Sequence, residues 1–258
     1  NHAERVLVDL EQFLANRSRS IARMTAANRG GRPDLRVQNA AGDEATIYLY
    51  DVIDPWWGVS ADMVRAELDA ITAPRIAIHV NSIGGDVFEA IAIFNLIRAR
   101  KETAHIDMHN DSVALSAASF IMLAGHRSIS APHSQWMIHE AMGFAGGYAE
   151  DMRKAAEFLD RQTEVIAGIY AERGHTVEHW LGLMRAETWF TAEEAVAAGL
   201  ADEVAGEAAA QNRYDLGAFR NAPRSESPRA QDTTTTSDEL AQEHLRFQRS
   251  RSRLVGAA

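Results

Sequence analysis

The apolar positions of this chain change their period several times, and each change marks an element. In residues 5–24 (RVLVDLEQFLANRSRSIARM), Val6, Leu10, Phe13, Leu14 and Ile21 fall near helical spacing, which predicts an amphipathic helix with an arginine-rich end. Residues 28–44 are dense in Gly, Pro, Asn and Asp and read as a linker, placing a domain boundary at 44. ATIYLYDVID (45–54) reads as the first core strand. Ser60 suits the N-cap of a helix over 61–71, and Pro74 ends the connection that follows. IAIHV (76–80) is short, branched and apolar, as a strand covered on both faces should be. In residues 86–100, Val87, Ala90, Ile91, Phe94 and Ile97 lie along one helical face. The order is therefore strand, glycine turn, helix.

The plan then repeats. AHIDMH (104–109) alternates like a strand, and residues 114–123 read as a helix of small and apolar residues with Ser116 in its first turn. SQWMIHE (134–140) is a third strand candidate, followed by the glycine-rich FAGGY and a long helical pattern over 149–172 that stops at Gly174. Thr191 and Glu194 have the spacing of a capping box for a short helix ended by Gly199, and residues 200–204 read as a final edge strand or extension. Strands alternating with helices predict an α/β domain built from βαβ units with a largely parallel sheet, over residues 45–205. Residues 222–238, poor in apolar side chains and rich in Pro, Ser and Thr, read as a disordered linker. The last segment of the 206–258 tail, ELAQEHLRFQRSRSRLVG, has helical character but is too short to fold alone.

Composition narrows the function classes. A 258-residue chain with 46% hydrophobic and 24% charged residues suits one sizeable globular domain with appendages. The net charge of −10 argues against a nucleic-acid partner. With no cysteine, disulfides, thiol nucleophiles and cysteine metal sites are excluded, and nothing calls for a metal or cofactor. No apolar run approaches the roughly 20 residues of a membrane span, and the N-terminus lacks a signal-peptide core. The expectation is a soluble, cytoplasmic protein with no membrane contact. Lys101 and Lys154 are the only lysines.

Three stretches carry chemistry. They are the glycine pair of IAIHVNSIGG (76–85), the serine of SVALSAAS (112–119) and the histidine of WMIHE (136–140). Backbone N–H donors, a hydroxyl nucleophile and an imidazole base are the equipment of acyl transfer. The residues alone leave a second reading open, because a serine among alanines serves close packing and a histidine ending a strand is often structural.

The order of the motifs extends this. NSIGG (81–85), SVALS (112–116), MIH (137–139), ETWFTAEEA (187–195) and GLAD (199–202) follow one another as do the N-S-P-G-G, G-x-A-A-S, M-I-H, D-x-F-[LM]-[ST]-A-x-E-A and G-L-[IV]-D segments of the ClpP-type serine peptidases, which have the ClpP/crotonase fold. The chain resembles that family over about residues 45–205. The resemblance implies Ser116 as nucleophile, His139 as general base, Glu187 at the place of the family's aspartate, and Gly84 or Gly85 with Ala117 as oxyanion-hole donors. Ile83 stands where the family has proline, and Ser112 where it has glycine. GGDVFEAIAIFNLI, SAASFIMLAG and ETWFTAEEAVAAGLADEV look like the ClpP-like proteases of phage head-gene clusters, which implies a scaffold or capsid protein as substrate, prohead maturation as the setting and the bacterial host cytoplasm as the location. The resemblance also implies homo-oligomeric rings, with the 149–172 helix pairing subunits. The first 44 residues do not resemble the family's axial loops, which argues against docking to an unfoldase ATPase. Three alternatives remain: a Ser/Lys peptidase of the signal peptide peptidase A type using Lys101 or Lys154, a crotonase-type acyl-CoA enzyme, and a ring-forming structural subunit without activity.

Overall fold

The computed structural model describes residues 35–206 except Trp57, together with Phe219 and Asn221. The helix expected over 5–24, the linker expected over 222–238 and the helical tail lie outside the described residues.

Eight strands form one sheet: β1 (Leu35–Gln38), β2 (Glu44–Leu49), β3 (Arg75–Ser82), β4 (His105–Leu115), β5 (Arg127–Ser130), β6 (Gln135–Ile138), β7 (Thr188–Thr191) and β8 (Glu203–Val204). Their order is β1-β2-β3-β4-β5-β8, with β6 paired to β4 and β7 to β6. Only β1–β2 and β6–β7 are antiparallel, so the sheet is largely parallel as the alternation of elements predicts. Among the described residues the helices are α1 (Ala61–Ala70), α2 (Val87–Lys101), α3 (Ala117–Ile121), α4 (Ala149–Ala171), α5 (Val177–Arg185) and α6 (Ala192–Ala197).

The caps follow from the sequence. The Ser60 side chain accepts the Met63 N–H at the start of α1, and the Asp86 carboxylate accepts the N–H groups of Phe88 and Glu89 at the start of α2. Thr191 and Glu194 form the expected capping box of α6. The hydrophobic core joins the inward residues of β2, β3 and β4 to α1, α2 and α3, with Ile47, Ile78, Ile93, Ile106 and Phe120 almost wholly buried.

Four expectations change. β1 occupies residues read as linker, because its four residues sit in Gly/Pro/Asn-rich surroundings that mask the alternation of LRVQ. β3 is not covered on both faces: Ile76, Ile78 and Val80 are buried, while His79 on the other face is only half-buried. There a cross-strand ladder of Arg36, Tyr48, His79 and His109 lies in register, with Tyr48 and His109 stacked on His79 at 5.1 and 4.6 Å. The helix expected over 114–123 begins only at Ala117, because Val113, Ala114 and Leu115 pair with Gln135, Trp136 and Met137 and so remain in β4. β5, β7 and α5 were not anticipated.

Candidate active site

β4 is eleven residues long and, besides pairing with β3, serves two further partners. Asp107–Asn110 pair with β5, and Val113–Leu115 pair with β6. The second ladder carries on past the strand end, since the Ser116 N–H donates to the Met137 carbonyl at 2.8 Å. Ser116 therefore leaves β4 beside the residue that leaves β6, and two positions beyond Met137 stands His139. Ser116 Oγ and His139 Nε2 are 2.7 Å apart. Both side chains are half-buried.

Ser116 is the residue at which strand turns to helix. Its φ of 53° and ψ of −126° lie outside the regions ordinary side chains prefer, and its hydroxyl makes no cap bond to α3. Such a conformation costs on the order of 1–3 kcal/mol and persists only where its surroundings over-determine it. The result is a hydroxyl raised from the backbone and turned to the imidazole, in the manner of a strand-to-helix nucleophile turn.

The glycine turn is pressed against this corner. A Cβ on Gly84 would lie 2.6 Å from the Leu115 carbonyl oxygen and 2.7 Å from the Ala117 nitrogen, and one on Gly85 would lie 2.0 Å from the Ile53 carbonyl oxygen. Both glycines have positive φ, 85° and 151°. The turn is strapped down by Ile53, whose N–H donates to Gly84 O and whose carbonyl accepts the Asp86 N–H. Of the two candidate donors, the Gly84 N–H is spent on Ser82 Oγ at 3.1 Å. The Gly85 N–H stands outside the bridge to Ile53, and the Ala117 N–H opens α3 and so has no intrahelical acceptor. Gly85, Ser116, Ala117 and His139 line one pocket.

Glu187 starts β7. The antiparallel ladder ends at the pair Ile138 and Thr188, so His139 and Glu187 each lie one residue beyond its last pair. The Glu187 backbone has a φ of 50°, and its carboxylate accepts the Asn221 N–H. Phe219 stands edge-on to the His139 ring at 6.0 Å and to Trp189 at 5.8 Å. Beside the pocket runs a cleft of about 540 Å³ that reaches Ser116 and is lined by Phe88, Met142, Phe144, Phe158 and Leu159.

The remaining basic candidates lie elsewhere. Lys101 donates its ammonium to the Gly125 carbonyl, and Lys154 is exposed 3.9 Å from Glu150. Among the described residues no group of three or more His, Asp or Glu is arranged to hold a metal. Sequence reasoning missed Ser119, Tyr170, Phe219 and Asn221; the second serine of SAAS, three residues after the first, was the one available signal.

The family model described as Clp protease matches residues 35–208. The proteolytic subunit 3 of the ATP-dependent Clp protease of Rhodococcus jostii is 30% identical over 187 residues, 67% of this chain and 88% of its own length. The corresponding subunit 3 of Streptomyces coelicolor is 30% identical over 197 residues, 71% of this chain and 87% of its own length. The proteolytic subunit from Bacteroides thetaiotaomicron is 29% identical over 164 residues, covering 61% and 73%. A match that begins at β1 and runs past β8 takes in every described strand, and this chain is a member of the Clp protease family.

Proposed function

We propose that this protein is a serine endopeptidase in which Ser116 attacks the peptide carbonyl and His139 is the general base. The observation that carries the reading is the 2.7 Å contact between Ser116 Oγ and His139 Nε2 beside two backbone N–H groups that no helix or bridge uses. His139 takes the hydroxyl proton as Ser116 adds to the carbonyl, and returns it to the leaving amine as the acyl-enzyme forms. Water then repeats the sequence to release the acid. The N–H groups of Gly85 and Ala117 face the oxygen on which negative charge develops, and one such donor is worth about 100- to 1000-fold in turnover. Glu187 is the acid that orients His139, supported by its place one residue beyond the last pair of the β6–β7 ladder, on the same end as His139. The aromatic and aliphatic cleft beside Ser116 suits large apolar side chains of a protein substrate.

The wording of GGDVFEAIAIFNLI, SAASFIMLAG and ETWFTAEEAVAAGLADEV supports a place in phage head maturation, with a scaffold or capsid protein as substrate. The use of the two lysines elsewhere favours histidine over lysine as base.

Incubation of the assembled protein with a fluorophosphonate probe tests the chemistry. The wild type labels, and Ser116→Ala and His139→Ala both lose labelling. Wild-type protein that stays unlabelled would leave the structural-subunit reading. Labelling that survives His139→Ala but not Lys101→Ala or Lys154→Ala would move the base to lysine. Co-expression with head proteins, followed by mass spectrometry of the products, tests the substrate: intact head proteins would remove the phage assignment.

A further inference from the structure

The strained backbone of Ser116 needs something to hold it, and its own α3 is only five residues long. Its N–H is tied to Met137. Its carbonyl oxygen is tied twice by one residue, accepting the Ser119 N–H at 3.0 Å and the Ser119 hydroxyl at 2.5 Å. Ser119 Oγ in turn lies 2.6 Å from the Tyr170 hydroxyl on α4. A carbonyl can only accept, so the single hydroxyl proton of Ser119 goes to Ser116 and Tyr170 must be the donor to Ser119.

Resting on the serine-peptidase reading above, we infer that Ser119 and Tyr170 are positioning residues, whose hydrogen-bond chain from a buried phenol fixes the Ser116 carbonyl and so aims its hydroxyl at His139. The chain is built for permanence. Ser119 and Tyr170 are both buried, and two hydroxyls in an apolar core are costly unless they bond to each other and to a backbone acceptor. Burial holds the Tyr170 phenol well above its ordinary range, so it remains a donor at every pH where His139 can act as a base. Tyr170 packs at 5.3 Å against Trp180 of α5, whose indole N–H donates to the Gly174 carbonyl at 2.9 Å, so the donor is fixed to two helices. The first turn of a five-residue helix is thereby held by a helix of 23 residues.

The test uses the full chain, with the rate of fluorophosphonate labelling measured across pH and peptide turnover measured beside it. Tyr170→Phe removes one oxygen and leaves the ring in place; Ser119→Ala removes the middle link. Each slows labelling about three- to tenfold per folded molecule, the range one neutral hydrogen bond commands, with kcat falling and KM unchanged. The double variant labels no more slowly than Ser119→Ala alone, because a chain cut once carries nothing further. The midpoint of the pH profile stays at its wild-type position. Thermal denaturation of each variant supplies the folded fraction. Folded variants that label at the wild-type rate, losses that multiply in the double variant, or a displaced midpoint would each overturn the positioning role while wild-type labelling upholds the peptidase. An unlabelled wild type would instead take down the peptidase reading, and this assignment with it.

Discussion

Gly85 at φ 151° and Ser116 at φ 53° belong to different chain segments, yet the same corner forces both conformations. A bare backbone at 84 and 85 is what lets the turn approach Leu115, Ala117 and Ile53 closely, and any side chain must push one of them away. Gly85→Ala is expected to break the bridge to Ile53 and lower turnover by about 100-fold or more, as loss of one oxyanion donor does; circular dichroism checks that the sheet survives, and near-normal turnover would take Gly85 out of the donor pair. Gly84 is needed for space and not for its N–H, which Ser82 already holds. Glu187 makes a second residue-scale case. In the proposed triad Glu187→Gln keeps the shape and removes the charge facing a protonated His139, so turnover should fall about a thousandfold with little change in thermal midpoint. A loss of only a few-fold would show that another group orients the imidazole.

At the scale of elements, β4 decides how much of the site was legible. Its first half alternates as a strand should, but SVALSAAS is made of serines, alanines and two apolar residues, and neither period stands out. Pairing with β6 settles the matter by holding residues 113–115 extended and passing the turn to Ser116. The meeting of Ser116 and His139 was legible from motif order alone, since it depends on a ladder between segments twenty residues apart. β5 and β7, four residues each, offer too few alternations to separate from loop. The open face of the sheet escaped the sequence reading as well, and it carries its own prediction. Burial, and then the neighbouring His79, hold the His109 imidazole below its ordinary value near 6.5. An unfolded chain therefore takes up the proton more readily than the fold does, so this contribution to stability is present above pH 6.5 and is lost as pH falls towards the depressed value. The thermal midpoint should drop between pH 7 and 5, and drop less in His109→Gln; parallel curves would show that the ladder tolerates a charged His109.

At the scale of the whole molecule, the apolar surface that remains is unevenly placed. Tyr148, Met152, Phe158 and Val165 of the α4 region are exposed, as are Phe88, Met142 and Phe144 around the cleft, while the buried residues of α4 are confined to its C-terminal part. Among the described residues no helix is long and apolar enough to cross a membrane, so this surface is not a span. A second copy of the chain is the occupant expected from the homo-oligomeric rings that the family resemblance implies, with α4 as the pairing element. Val165 tests this cleanly, because it is half exposed and does not line the cleft. Val165→Glu forfeits the burial of a valine on each of two copies, about 1.5 kcal/mol apiece, and so should weaken association about 100-fold. Light scattering across a concentration series reads that shift directly. Fluorophosphonate labelling of the same samples then separates two outcomes: labelling that falls with the oligomer ties Ser116 to assembly, and labelling that persists in the dissociated chain shows a corner that β4, β6 and α4 complete within one subunit. A wild type that scatters as a monomer at high concentration would remove the assembly altogether.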